Sequence, residues 1–184
     1  MNTLFLSNFC LILFFVMRQY SGYKWGKASQ PKNFNDFIKK EFIIILFVGF
    51  ALIQNFGYGL VFSLDHSSKI ILSALSVLGV FICFSVRRHR AKNWGRFGTP
   101  SKGGLIKDGP NRFSRHPYYL GVIVWGISLA FLYGNIFLIS ISFVWLIGAV
   151  ITARKEEKFL EIEFGEDWTN YKRKTPFFIG FPKQ

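Results

Sequence analysis

The chain has 184 residues, of which 51% are hydrophobic and 23 are Phe, and this length suits one domain. Its apolar residues form long, nearly uncharged blocks, which excludes an ordinary soluble fold and indicates an integral membrane protein. The formal net charge of +13 also fits a nucleic-acid-binding protein, so the positions of the basic residues must be explained.

Four apolar blocks follow one another along the chain. They are Leu4–Met17, Phe42–Leu64, Ile70–Val86 and Tyr118–Thr152. Phe42–Leu64 has 23 uncharged residues, which correspond to about 35 Å of helix. The last block contains a turn signal at Tyr133-Gly134-Asn135 and therefore predicts a helical hairpin of two spans. Together the blocks predict an all-α integral membrane protein with five transmembrane helices.

The first block has a second interpretation, as a cleaved signal peptide. No basic residue precedes it, no small-x-small cleavage site follows it, and Arg18 closes it as a stop-transfer charge does. We therefore interpret Leu4–Met17 as a membrane helix.

The basic residues alternate strictly with loop number. Six Lys and Arg lie in residues 18–41, one in 65–69, nine in 87–117, none in 133–135 and seven in 154–184. The positive-inside rule places the basic segments together in the cytoplasm and the N-terminus outside. A four-span arrangement would divide these segments between the two sides of the bilayer. The pattern therefore favours five spans, with the polar C-terminal segments on the cytosolic side.

This topology, with contacts to anionic lipid, accounts for the net charge, and the lipid bilayer is the expected partner. The soluble segments show no nucleic-acid recognition motif, so no nucleic-acid partner is expected. Cys10 and Cys83 each lie inside an apolar block without the spacing of a metal site or a disulfide. The sequence leaves the oligomeric state open.

The polar residues that form motifs are concentrated in the C-terminal half. We divide the chain into residues 1–95, with transmembrane helices and a basic cytosolic loop, and residues 96–184, a candidate catalytic region. The loop before the hairpin is rich in Gly and Pro, and Gly103 and Gly104 suit tight turns and close approach to a ligand.

The hairpin predicts that its two ends meet. Antiparallel helices of matched length return the chain to the face where it began, so Arg112, Arg115 and His116 are expected beside Glu156 and Glu157. Each residue alone is also explained as a headgroup anchor or a surface ion pair. Their combination predicts a pocket at the membrane surface for a zwitterionic, partly aromatic ligand.

Two motifs on either side of the hairpin carry a resemblance to a known family. They are Arg115-His116-Pro117-Tyr118-Tyr119 and Glu156-Glu157, the second followed by Phe164-Gly165, Tyr171 and Pro176. Over residues 100–180 the sequence resembles the isoprenylcysteine carboxyl methyltransferase family, which is similar to the membrane phospholipid methyltransferases. The resemblance implies methyl transfer from S-adenosylmethionine, in a cytosolic pocket, to a lipidic or small acceptor reached from the membrane, with an isoprenylcysteine-like carboxylate favoured.

The resemblance also implies which residues contact the cofactor. They are Gly103, Gly104, Leu105, Ile106, Asn111, His116, Pro117, Tyr118, Tyr119 and Glu156. Asn111 departs from the tyrosine that is common in the family. The cofactor's charges agree with this set, because Glu156 suits its amino group and His116, with Arg112 or Arg115 nearby, suits its carboxylate.

The candidate catalytic residues are His116, Arg154, Glu157 and Tyr171. Prenylcysteine enzymes of the family have an arginine one turn before the cofactor-binding glutamate, and this chain has Thr152 there, with Arg154 the nearest arginine. A carboxylate acceptor is already ionised, whereas an amine would need a base such as His116, Glu157 or Tyr171. Methyl transfer from a sulfonium needs no metal, and most of its catalysis can come from orientation of the reactants.

Two other functions fit parts of this pattern. NADPH-dependent membrane sterol reductases share an Arg-His-Pro-x-Tyr stretch and a segment similar to Gly165-Glu166-Asp167-Trp168, but this chain has fewer spans and carries the Glu-Glu pair. A non-enzymatic membrane scaffold would use the polar cluster only to anchor helices and would tolerate alanine at His116 and Glu156.

Overall fold

The structure is a computed structural model that describes residues 8–14, 16–17, 49, 51, 62–96, 99–100 and 105–180. Residues 8–14 and 16–17 are helical. The further elements are α1 (His66–Asn93), β1 (Trp94–Arg96), β2 (Thr99–Pro100), a 3₁₀ turn (Gly109–Arg112), α2 (Pro117–Tyr133), α3 (Ile136–Phe164) and α4 (Glu166–Lys174). The short strands β1 and β2 pair antiparallel. The other regular elements of the described residues are helical, as predicted.

Two of the described helices are long and apolar enough to cross a bilayer, and they lie at His66–Arg90 and Ile136–Phe164. The predicted third span, Ile70–Val86, lies inside α1. The shorter α2 has 17 residues and is also apolar. Most of the predicted span Phe42–Leu64 lies outside the described residues, and its last three residues, 62–64, are not helical. The number of spans and their orientation stay predictions.

The predicted hairpin break is confirmed between α2 and α3. Gly134 ends α2 with a φ of 67°, a left-handed conformation that suits glycine. Asn135 then caps α3, because its side-chain oxygen accepts the N–H groups of Phe137 at 2.9 Å and Leu138 at 3.3 Å. The N–H of Phe62 donates to the Gly134 carbonyl at 2.9 Å, which attaches the segment before α1 to this turn.

Helices α1 and α2 pack with their backbones close together. A Cβ added to Gly79 would lie 2.5 Å from the backbone nitrogen of Trp125, and one added to Gly121 would lie 2.8 Å from the Cys83 sulfur. Small residues permit this approach, which is typical of helix pairs in membranes. Trp125 is completely buried at the crossing and stacks on Phe14 of the N-terminal helical segment, with ring centroids 3.7 Å apart. The crossing fixes which face of α1 meets α2.

Helix α3 continues well beyond the predicted end of its span at Thr152, as a charged helix that ends at Gly165. Gly165 has a φ of 50°, and α4 begins directly after it. Trp168 and Tyr171 are buried, and they lie on one face of α4. Its acidic residues lie in the first turn and its basic residues in the last, where each sign is favoured by the helix dipole. This arrangement returns the chain toward the start of α2.

Candidate functional site

The start of α2 and the charged part of α3 meet, as the hairpin predicted. The Tyr119 hydroxyl donates to Glu156 Oε1 at 2.7 Å. Glu156 Oε2 faces His116 Nδ1 at 3.8 Å, which is beyond hydrogen-bond distance. The Glu156 side chain is 44% exposed. One of its oxygens is therefore held in place while the carboxylate stays accessible to a ligand.

Glu157 has a different environment although it is the next residue. Its side chain is 9% exposed, and its Oε1 accepts from Arg115 Nε at 2.7 Å and lies 3.3 Å from His116 Nε2. Lys172 Nζ lies 3.8 Å from its other oxygen. Cations surround Glu157 and cover it, so Glu156 is the carboxylate of the pair that a ligand can reach.

Arg115 joins the start of α2 to the C-terminal segment. Its Nη1 donates to the carbonyls of Lys172 and Thr175, both at 2.8 Å, and its backbone N–H donates to the Pro176 carbonyl at 3.0 Å. Its guanidinium carbon lies 5.5 Å from the centre of the Phe177 ring. Arg115 therefore holds residues 172–177 against the site.

His116 is buried, with 3% of its surface exposed, and it packs against the ring of Phe177. Burial lowers the pKa of His116 to about 4, against the opposing effect of Glu157 and with a further lowering by Arg115 and Arg90. The imidazole is therefore neutral at pH 7. A neutral His116 gives no charge-assisted hydrogen bond to a ligand carboxylate, so the cation for that role must come from another residue.

Arg90 lies near this cluster, and the sequence did not single it out among the nine basic residues of segment 87–117. Its Nε is shielded from solvent, and its guanidinium lies close enough to Glu156 to interact electrostatically with that carboxylate. Arg90 follows Cys83 by two turns and Gly79 by three turns, so the three residues share a face of α1. The sequence alone does not show that this face meets α2.

Tyr171 fixes the loop before α2 in place. Its hydroxyl donates to the Asn111 carbonyl at 2.6 Å, and Asn111 Nδ2 donates to the Ile106 carbonyl at 3.1 Å. Burial raises the pKa of Tyr171, so its phenol stays protonated and acts as a donor. The interaction places residues 105–111, part of the predicted cofactor loop, beside α4.

The other predicted site residues are distributed unevenly. Pro117 is buried in the first turn of α2, and the Tyr118 ring lies under Arg87 at 5.5 Å from its guanidinium carbon. Arg112 and Arg154 are exposed, and none of the described contacts that hold the cluster together involves either of them. Leu105 and Ile106 are half-buried, and the predicted Gly103 and Gly104 lie outside the described residues.

Comparison with known proteins identifies the family. The phospholipid methyltransferase model matches residues 68–167, more than half of the chain. This range includes α1 from Ser68 onward, Arg90, the motif from Arg115 to Tyr119 and Glu156-Glu157, whereas Tyr171 and Pro176 lie outside it. The chain belongs to the phospholipid methyltransferase family. It is also similar to the protein-S-isoprenylcysteine O-methyltransferase of Schizosaccharomyces pombe, with 31% identity over 74 residues. These residues are 39% of the chain and 31% of that relative, so the chain covers about a third of the relative's length.

The residue set fits the methyl donor of a phospholipid methyltransferase family member. A reachable carboxylate, Glu156, is held by the hydroxyl of Tyr119 and has the guanidinium of Arg90 in its surroundings. S-adenosylmethionine has an ammonium, a carboxylate and a sulfonium, and such a ligand needs acidic and basic groups side by side. The family assignment and this set of charged residues do not favour the sterol reductase or the non-enzymatic scaffold.

Proposed function

We propose that the chain is a membrane methyltransferase that transfers a methyl group from S-adenosylmethionine to a lipidic or small acceptor reached from the bilayer. The observation that carries the proposal is the half-exposed Glu156, held by Tyr119 at the junction of the apolar hairpin and the charged end of α3. At this junction a soluble donor from the cytosol and an acceptor from the bilayer can meet.

Cofactor binding is assigned to the loop, the motif and the start of the Glu-Glu pair. Glu156 would take the donor's ammonium, and the loop that Asn111 and Ile106 hold beside α4 would line its nucleoside end. The wall of the cofactor site would be completed by His116, Pro117 and Tyr118. The bound cofactor supplies an electrophilic methyl group on a sulfonium. The chain's own contribution is to hold donor and acceptor in line, which is worth several kcal/mol in well-oriented systems.

The environment of the candidate bases favours an acceptor that is already ionised. His116, with a pKa of about 4, is a weak base, and the buried Tyr171 keeps its proton. Glu157 Oε1 already accepts a hydrogen bond from Arg115 Nε at 2.7 Å. A carboxylate acceptor of the isoprenylcysteine kind needs none of them, so these residues would position the motif and not remove a proton.

Arg154 stays a candidate for the acceptor carboxylate. It is exposed on α3, close in sequence to Glu156, and a membrane-bound acceptor would approach this helix from the bilayer side. Its proposed role therefore depends on the acceptor and is separate from binding of the donor.

Calorimetry on the purified chain in detergent tests the donor. S-adenosylhomocysteine is expected to bind the wild type and to lose affinity in Glu156→Gln, whereas Glu163→Gln, at an exposed position of the same helix, retains it. Binding of NADPH in place of S-adenosylhomocysteine would overturn the proposal. Methyl transfer to a farnesylcysteine analogue, compared with phosphatidylethanolamine, then tests whether the acceptor group is a carboxylate or an amine.

A further inference from the structure

One face of α1 follows α2 from the membrane crossing to the candidate site. Gly79 and Gly121 bring the two backbones together, and one turn later Cys83 Sγ lies 3.7 Å from the Tyr118 carbonyl. A further turn along, the guanidinium of Arg87 lies over the Tyr118 ring. Helix geometry places Arg90 on the same face, one turn beyond Arg87. Arg90 therefore lies at the level where α2 begins.

The pair His89 and Asp108 attaches this end of α1 to the predicted cofactor loop. His89 Nε2 lies 3.2 Å from Asp108 Oδ1, and a Cβ added to Gly109 would lie 2.6 Å from the His89 ring. The end of α1 is thus fixed from two sides, by α2 and by the loop. Arg90 is the residue after His89, and its Nε is shielded from solvent.

A bound α-amino acid group imposes a simple requirement on its site. Its ammonium and its carboxylate are attached to one carbon, so an anionic and a cationic side chain must lie side by side. Glu156 is the reachable anion, and Arg90 interacts electrostatically with it across the site. A guanidinium suits this role, because its planar donors bind a carboxylate bidentately.

The other cations near the site are less suited to that carboxylate. Arg115 already binds Glu157 and two carbonyls of the C-terminal segment. Arg112 and Arg154 are exposed, and His116 is neutral at pH 7. Arg87, on the same face of α1, has its guanidinium over the Tyr118 ring, whereas Arg90 is the arginine that acts electrostatically on Glu156.

We infer that Arg90 binds the α-carboxylate of the methyl donor, beside Glu156, which takes the α-ammonium. This inference rests on the proposed function, since it assumes that the donor is S-adenosylmethionine. It adds α1, a helix outside the two motifs, to the cofactor site.

The test compares two ligands that differ by one carboxylate. Calorimetry on the full chain in detergent measures S-adenosylhomocysteine and its decarboxylated analogue against the wild type and Arg90→Gln. The variant is expected to lose affinity for S-adenosylhomocysteine on the order of 10- to 100-fold. Its affinity for the decarboxylated analogue should change by less than about threefold, because that ligand has no group for Arg90 to bind. Arg88→Gln, two residues away and exposed, is the matched control and should bind both ligands as the wild type does.

The outcomes separate this inference from the proposed function. If Arg90→Gln weakens both ligands equally, Arg90 acts through Glu156 or the fold and the inference is wrong; unchanged binding of both ligands also overturns it. If the wild type binds neither ligand, the proposed function fails and the inference fails with it. Should Arg90→Gln not fold, Arg90→Lys takes its place, because lysine keeps the charge but loses the bidentate geometry. This variant must also lose affinity for S-adenosylhomocysteine and not for the decarboxylated analogue, by a smaller factor.

Discussion

Arg115 and Glu157 form a buried ion pair, with Nε 2.7 Å from Oε1, between the segment just before α2 and the charged part of α3. Because Arg115 also holds the carbonyls of Lys172 and Thr175, the pair connects three separate segments. Together with His116, it forms the buried side of the site, and Glu156 forms the reachable side.

Removal of one partner of this pair should destabilise the protein strongly. Glu157→Gln leaves the guanidinium of Arg115 buried without its anion, and such a loss costs about 3–5 kcal/mol. Thermal unfolding in detergent should show a lower midpoint than for the wild type.

The double variant Arg115→Met/Glu157→Leu provides the control for this prediction. It removes both charges and replaces them with apolar groups, so it should be more stable than Glu157→Gln alone. A double variant that is less stable than the single variant would show that the bonds from Arg115 to the carbonyls of Lys172 and Thr175 outweigh the cost of its unpaired charge.

The neutral state of His116 predicts a stability loss in acid. Burial lowers its pKa from 6.5 to about 4, so the unfolded chain binds a proton first as the pH falls. The stabilising contribution is complete above pH 6.5 and is lost between pH 6.5 and pH 4, by up to about 3 kcal/mol. The midpoint of thermal unfolding, measured across this window, should fall steeply for the wild type.

Two variants isolate the His116 contribution. His116→Asn should show a shallower pH dependence between pH 6.5 and pH 4, whatever its stability at pH 7. His66→Gln, at an exposed position at the start of α1, should keep the slope of the wild type. Identical slopes for His116→Asn and the wild type would assign the acid sensitivity to other groups.

The parts of the fold that sequence analysis predicted depend on local chemistry. Gly134 and Asn135 interrupt the apolar block, and each performs a role that its residue type favours, as a left-handed helix end and a helix cap. The meeting of His116 with Glu156 follows from the hairpin, since α3 runs antiparallel to α2 from a tight turn and extends past the residue where α2 begins.

Arg90 shows why the rest was not predictable. A basic residue at a helix end is explained equally well by lipid headgroups, and the sequence does not show which face of α1 meets α2. The close approach at Gly79 and Gly121 decides that face, and it is a tertiary contact. The docking of the C-terminal segment by Arg115 is likewise a contact between residues far apart in sequence.

The crossing of α1 and α2 should therefore be sensitive to side-chain size. Gly121→Ala places a methyl group 2.8 Å from the Cys83 sulfur and 2.9 Å from the Gly79 carbonyl, so the helices must move apart. Overpacking of this kind costs about 1–3 kcal/mol, and it should also lower donor affinity because it moves Arg90. Gly148→Ala, which meets no atom within 4 Å, is the control and should leave both properties unchanged. Equal melting temperatures for the two variants would mean that the crossing is looser than described.

The hydroxyl of Tyr119 should matter for ligand binding more than for stability. It donates to Glu156 Oε1 at 2.7 Å and so keeps the carboxylate directed into the site while Oε2 remains free to accept from a ligand. Tyr119→Phe keeps the ring and removes one hydrogen bond, so we expect binding of S-adenosylhomocysteine to weaken about five- to tenfold. Calorimetry measures this loss, and Tyr133→Phe, which loses a hydroxyl that donates to Asn8 Oδ1 at the opposite end of α2, serves as the control. Because an exposed carboxylate without Tyr119 can rotate into solvent, the loss should appear mainly as a less favourable binding entropy. Unaltered affinity in Tyr119→Phe would mean that Glu156 is held by other groups when the ligand binds.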